Sequence, residues 1–450
     1  MKKYWMILLI ICIVTGCEKQ LEEKSDKTQF KPEKLNDVQS MLDYYIYTGY
    51  DTGLGETSAD NYFVSDDTYN GFYYNSDRTA YNWGTTDVTF PGPYGEWGIV
   101  YGKIYYANVA MEALNAINKN ADNETDWNDL YGQALFKRGQ GLWRLADVFA
   151  LPYKSADAET MLGLPIRLNT NYEERSVRSS LADTYRQIIT DLKASIALLK
   201  ITPLHPVRPS KPAAYGMLSV VYLSMREYPL AKLYADSALQ LRPQLIDYNT
   251  VDADPSVRYS FENNNVESLY MSLVNNNPLL ISTARIDTTL YNSYAANDLR
   301  KLIYFRPRPD GFYSFKGSYA GFDGLFSGIA TDELYLNRAE CNARAGQTAA
   351  ALDDLNKLLL NRYATGTFVP VTATDAADAL RKILIERRKE LVYRFSRWTD
   401  IRRLNLEGEG ILPMRKINGQ LFQLPVNSPR YARPIPQDII DITGMQQNPQ

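Results

Sequence analysis

From Pro212 to Leu245 the chain carries a 34-residue pattern that fits a pair of packed helices. Large side chains (Tyr215, Leu218, Tyr222, Tyr228) recur at helical spacing, and Ala231, Ala235 and Ala238 supply small ones where a second helix must lie close to the first. Pro243 ends that second helix, because proline lacks the amide that a helix interior uses. Pro206, Pro209 and Pro212 mark the approach, where a fixed backbone angle is tolerated. A weaker copy runs from about Asp332 to Asn361, with Ala339, Ala351 and Leu355 at matching offsets and Gly346 at the turn. Helix pairs of this kind stack side by side and bury a continuous core.

The stronger copy resembles a tetratricopeptide repeat. Elsewhere, apolar spacing predicts helices over 36–47, 97–117, 127–149, 181–199 and 380–395, the last through Ile383, Leu384, Leu391 and Phe395. Glu267 to Leu273 alternates as a short, half-buried strand flanked by asparagine turns. The expected fold is mostly α, a tetratricopeptide-like scaffold of helical pairs with long irregular loops and a few short strands. Its pairs fall at about 97–150 with 181–199, at 212–245 and at 332–395.

Of the 450 residues, 45% are hydrophobic and 22% charged, and the net charge is −3. That balance is ordinary for a globular protein and argues against a chain whose main work is gripping nucleic acid. A single histidine, His205, sits in Pro203-Leu204-His205-Pro206, so histidine-rich metal sites are excluded. Lys2 and Lys3 precede an eleven-residue apolar run from Tyr4 to Val14, whereas a membrane span needs roughly 20 residues. The run has the length of a signal-peptide core and ends in Val14-Thr15-Gly16-Cys17, which resembles the lipobox of bacterial lipoproteins. Residues 1–16 are then a removed signal, Cys17 carries lipid, 17–34 is a solvated tether and 35–450 is one folded domain. An ordinary secretory signal with a chance cysteine is the alternative. Cys341, alone on a helical pattern, reads as a small buried side chain.

Two stretches break the helical rhythm. Asp51 to Pro93 holds nine aromatic and seven acidic residues with Arg78 as its only base, and Arg285 to Leu325 holds nine more aromatics. Long irregular segments inside a compact domain are often functional. Sugars are recognised by rings that stack on their apolar faces and by amides, acids and arginines that bond their hydroxyls, and Asn75 to Trp83 supplies all of these types in nine residues. From the second stretch Tyr291, Tyr294, Tyr313 and Tyr319 are candidates. The competing reading is that such rings pin long loops to the helical body, which buries comparable apolar area. Trp97 and Trp398 are assigned to packing. Arg381 to Arg403 carries nine basic residues against three acidic, which reads either as an anion-binding patch or, more simply, as a solvated helix face with local ion pairs. Asp66 and Asp67 with Asp60 and Asn61 could gather oxygens around calcium, but their spacing matches no loop motif, so no metal or cofactor is assigned. No pair of carboxylates stands out as catalytic; Glu333 and Glu340, seven apart, fall in the second repeat.

In order along the chain these pieces resemble the SusD/RagB family of outer-membrane nutrient-binding lipoproteins. Trp97, Tyr101 and Asn108 are similar to its first helix, and Ala134 to Gly139 through Leu151-Pro152 to its second helix and exit. Tyr185, Ile188, Asp191, Leu192 and Ala194 resemble a third segment, and Leu334 to Glu340 the family's repeat. Most specific is Ile385-Glu386-Arg387-Arg388-Lys389-Glu390-Leu391 followed by Arg397-Trp398-Thr399-Asp400-Ile401-Arg402-Arg403. Pro434-Ile435-Pro436 and Gln447-Asn448-Pro449 resemble its ending. Two departures stand out: the chain is short for the family, and Tyr393-Arg394-Phe395-Ser396 replaces the usual acidic, glycine-bearing turn.

The resemblance implies a non-enzymatic, lipid-anchored protein on the outer face of the outer membrane. It would capture an oligosaccharide and pass it to a SusC-like TonB-dependent channel. The alternatives are a peptide binder, as in the RagB branch, or a structural lid without its own specificity. It also implies ligand contacts from the loop before the first helix, at Arg78, Tyr81, Asn82 and Trp83 with Tyr73 and Tyr74 as neighbours. The ligand-side loops are then about 51–93 and 250–330.

Overall fold

The computed structural model describes residues 32–86, 92–275 and 283–450. Cys17, the leader 1–16 and all but the last three residues of the 17–34 tether lie outside them. Among the described residues no helix is long and apolar enough to cross a membrane. Ten helices carry the scaffold: α1 (Leu35–Asp43), α2 (Glu96–Ala116), α3 (Glu124–Phe149), α4 (Leu181–Leu198), α5 (Lys211–Ser224), α6 (Tyr228–Leu241), α7 (Thr331–Arg344), α8 (Thr348–Leu360), α9 (Ala376–Glu390) and α10 (Arg397–Asn405). From α2 to α8 each helix packs on the one before it, and α9 closes the stack against α7 and α8. The strands are two to four residues long and pair antiparallel in twos.

Local chemistry sets the helix limits. Ser180 caps α4 by accepting the Asp183 amide (3.0 Å), Ser210 caps α5 by accepting that of Ala213 (3.3 Å), and Asp375 caps α9 through Asp378 (2.8 Å). Ala231, Ala235 and Ala238 are fully buried, as close approach of α6 to α5 requires. Gly346 takes a φ of +75° between α7 and α8, a conformation that costs glycine nothing. The largest core runs from α2 to α7, and a second, mostly aromatic core lies under the two excursions. Cys341 is buried in the first, which pushes its thiol up to about 12.

Three expectations need revision. The first helix breaks at Tyr44, whose backbone is extended, and a short turn (Tyr45–Thr48) follows; the Thr48 hydroxyl donates to the Leu42 carbonyl that the break exposes (2.6 Å). Ser268–Tyr270 is buried on both faces rather than one, because it pairs with Ile329–Ala330 while Tyr270 meets Phe136 at 4.7 Å. The last amphipathic helix ends at Glu390, not Phe395. Beyond it Tyr393 and Phe395 both adopt φ of 59°, a strain on the order of 1–3 kcal/mol each. Burial offsets that strain: Tyr393 stacks on Phe315 at 4.8 Å, and Arg394 between them reaches Asp332 at 2.9 Å.

The basic run 381–403 is mostly not a solvated face. Arg387, Lys389, Arg394, Arg402 and Arg403 are buried, and each meets a carboxylate from another part of the fold or its own helix. Arg403 forks onto both oxygens of Glu340 (2.6 and 2.7 Å), and Arg387 bonds Asp400 (2.8 Å) and Asn337 (2.6 Å). Further along, Arg300 holds Asp298, Glu386 and Glu390, and Arg362 holds Glu390 and Glu267. Glu333 and Glu340, seven apart in the second repeat, serve as acceptors in this spine. Burial alone would raise Glu340, but Arg403 and Arg344 hold it at about 2, below its ordinary 4.5. A carboxylate depressed in the fold stabilises it above the unfolded value and loses that contribution as pH falls toward 2. Glu340→Gln takes the bidentate partner from Arg403 and leaves it only Asp400, so urea unfolding at pH 7 is expected to show a loss of about 3–5 kcal/mol. The gap between variant and parent should narrow as pH falls below about 4.5.

Candidate functional site

The excursions meet in a short antiparallel ladder that pairs Tyr62 with Ile286 and Phe63 with Arg285. Beneath it, Arg415 enters from the hairpin Met414–Ile417 and Gln420–Gln423. Its guanidinium lies 3.9 Å from the centre of the Tyr81 ring, 4.7 Å from Tyr62 and 5.1 Å from Trp83. It donates to the carbonyls of Tyr81 (2.8 Å), Tyr62 (2.7 Å), Thr57 (3.0 Å) and Ala59 (2.7 Å). A guanidinium boxed by three rings and four carbonyls fixes the first excursion, with no carboxylate on it among the described residues. Nearby, Glu56 is fully buried; it accepts from the Asn61 side chain (2.9 Å) and the Phe395 amide (3.2 Å), and burial still pushes it up to about 7.

This architecture separates the ten candidate residues into three groups. Trp83 is fully buried and Tyr81 nearly so, at 1% exposure. The Trp83 indole donates to the Ser58 carbonyl (2.9 Å), and the Tyr81 hydroxyl accepts the Val64 amide (3.0 Å). Tyr294 donates to the Lys389 carbonyl (2.7 Å), and Tyr319 donates to Glu267 (2.5 Å). These four rings are core, and their expected role as stacking platforms is corrected: no ligand can lie on a ring whose faces are packed. Accessible are Tyr73 (88% exposed) and Tyr74 (49%), which meet edge to face at 4.8 Å. Tyr291 and Tyr313 are part-exposed and stack on each other at 3.7 Å. Arg78 and Asn82 are half-buried and shape the first excursion: Arg78 donates to the carbonyls of Asn70 and Phe72, and Asn82 to the Tyr69 hydroxyl (3.0 Å).

Rings that sequence reasoning did not single out complete the accessible set. Phe63 and Phe312 meet edge to face at 5.2 Å across the seam between the excursions, with the Arg285 guanidinium 5.8 Å from Phe312 and paired with Asp310 at 2.7 Å. A shallow pocket further along the second excursion is lined by Tyr259, Phe322, Arg258, Arg306 and Asp323. Only the aromatic density of the second stretch pointed to Phe312 and Phe322; nothing in spacing separates an outward ring from an inward one there. Accessible rings with guanidiniums and carboxylates on the two excursions are a chemistry for binding polyhydroxylated ligands.

Replacing Arg415 by methionine removes four donors and a cation from the ring box. Hydrogen exchange at residues 57–64 is expected to quicken while α5 and α6 keep their protection. Glu56 makes a second test. Its raised value means the fold holds an extra proton between about 4.5 and 7, so stability falls as pH rises through that window. Thermal melts of Glu56→Gln should lack this component, so the variant gains on the parent from pH 4.5 to 7.

Two family models match the chain in tandem. One, described as starch-binding associating with outer membrane, covers residues 19–223; the other, described as the SusD family, covers 332–450. A SusD-like protein P2 of Formosa agariphila is 24% identical over 409 residues, spanning 75% of this chain and 78% of that one. Among solved structures, a SusD superfamily protein of Bacteroides thetaiotaomicron superposes with a TM-score of 0.74 at 23% identity, over 93% of this chain and 100% of that one. A putative sugar binding protein of Bacteroides vulgatus superposes at 0.73 and 23% identity, over 94% and 99%. With both family models in chain order on the matching fold, the chain belongs to the SusD/RagB family.

Proposed function

We propose that the chain is a glycan-binding protein of the outer membrane, folded as one domain over 35–450. It captures an oligosaccharide without cleaving it and hands it to a SusC-like TonB-dependent channel. Cys17 is its lipid anchor, and the excursions face the cell exterior. The observation that carries this reading is the accessible set of rings on the excursions: Tyr73 with Tyr74, Tyr291 with Tyr313, and Phe63 with Phe312. Arg285 and Asp310 stand beside Phe312, and Arg306 and Asp323 line the shallow pocket with Tyr259 and Phe322, placed to bond hydroxyls. The family models and the sugar-binding relative in Bacteroides vulgatus support the same class of ligand.

Affinity electrophoresis against a panel of neutral polysaccharides tests it. Retention by at least one glycan is expected, weakened by roughly 0.5–1.5 kcal/mol in Tyr73→Ala/Tyr74→Ala or in Tyr291→Ala, the range for a lost ring contact. Trp83→Ala should instead lower stability by about 3–5 kcal/mol, as a buried ring does when truncated. Retention unchanged in both exposed-ring variants would contradict the site.

A further inference from the structure

Between α9, α10 and the short helix Thr288–Asn292 lies a cavity of about 510 Å³. That volume falls within the roughly 300–1,000 Å³ of small-molecule pockets. None of the ten candidate residues lines it, and neither does any aromatic ring, so it offers no face for stacking a sugar. Its apolar wall is aliphatic: Leu290, Leu380, Leu384, Ile385, Leu404 and Ile411. Ile385 is 47% exposed although it sits mid-helix on the last helix of the stack, where no further element covers it.

Two guanidiniums share this cavity and one close carboxylate. Arg397 forks onto both oxygens of Asp60, at 2.6 and 2.8 Å. Arg388 is left with the Asp60 carbonyl (3.0 Å) and the Asn61 side-chain oxygen (3.3 Å), and the carboxylates of Asp60 and Asp287 stand 3.6 Å away. Nη1 of neither arginine donates a hydrogen bond among the described residues. Burial and the neighbouring Arg397 lower Arg388 more than the ion pairs with Asp60 and Asp287 restore it. The other charges on the walls are matched or peripheral: Lys389 by Glu386 and Asp298, Asp400 by Arg387 and Arg403, and Arg381 by Asp378, while Glu409 lies on the exposed loop after α10.

We propose that this cavity binds a free aliphatic carboxylate of medium chain length, its head bridging Nη1 of Arg388 and Arg397 and its alkyl tail lying on Leu380, Leu384 and Ile385. Guanidinium–carboxylate pairing supplies the head contact, and the aliphatic wall supplies the rest. Arg388 and Arg397 belong to the basic run but lie outside the buried spine, and each keeps Nη1 without a hydrogen bond among the described residues. The proposal stands apart from glycan binding, because the two sites share no residue named for either.

Calorimetric titration of the purified full chain with pentanoate through octanoate tests it, with octanamide as the uncharged control. One saturable site is expected, with affinity rising about fourfold per methylene and lost in octanamide. Ile385→Glu, at an exposed position, and Arg388→Met should each weaken octanoate at least tenfold, with thermal melts confirming that both variants are folded. Absence of saturable octanoate binding, equal binding of octanamide, or unchanged binding in both folded variants would overturn the proposal. So would an acetylated dileucine binding more tightly than octanoate, since a peptide end would then be the occupant.

Discussion

The structure depends on arginines that are buried and answered. A helical stack could hold its pairs by apolar contact alone, but here Arg387, Arg394, Arg402 and Arg403 cross from the C-terminal helices to carboxylates on α3, α7 and α10 itself. Removing such charges from water costs several kcal/mol per ion, and only near-ideal hydrogen bonding compensates. The network therefore adds little to stability over a well-packed apolar core. Its larger effect is to make misregistered stacking costly, since any slip strands a charge. The turn at 393–395 belongs to the same arrangement, because its strained backbone places Arg394 on Asp332 between two buried rings.

The excursions are held differently. Arg415 meets no carboxylate among the described residues and fixes the first excursion through carbonyls and ring faces. In the second, Tyr248, Tyr304 and Tyr319 share hydroxyl hydrogen bonds of 2.8 and 2.9 Å above Glu267, which burial and its acidic neighbours push up to about 7 despite Arg362. Much of the tyrosine content thus goes into a polar-edged aromatic core under the loops. That core gives irregular backbone the rigidity that regular elements get from ladders, and it leaves the remaining rings outside where a ligand can reach them.

The scaffold was largely legible in the sequence. Ala231, Ala235, Ala238, Gly346 and Pro243 mark close approach, turn and stop by mechanisms that act locally, and the helices they bound lie where the spacing put them. The site was legible only as a region. Asn75 to Trp83 carries the right side-chain types, yet Trp83 takes φ of 58° and turns under the excursion toward Arg415, more than 300 residues away in the chain. No local pattern encodes that partner. The basic run misled for the same reason: its charges look solvent-bound until Glu340, Asp332 and Asp147 are brought to them by stacking. Tyr73, with the same composition around it, stays outside, and no distant residue among those described claims it.

We propose the outward rings of the two irregular excursions, held by the aromatic core beneath them, as the glycan-binding surface. A crystal structure of the chain soaked with an oligosaccharide that it retains would test this most directly. The account predicts sugar rings lying flat on at least one of the pairs Tyr73–Tyr74, Tyr291–Tyr313 or Phe63–Phe312, with a hydroxyl bonded to a neighbouring arginine or aspartate. Sugar density seated elsewhere, with all three pairs bare, would contradict it.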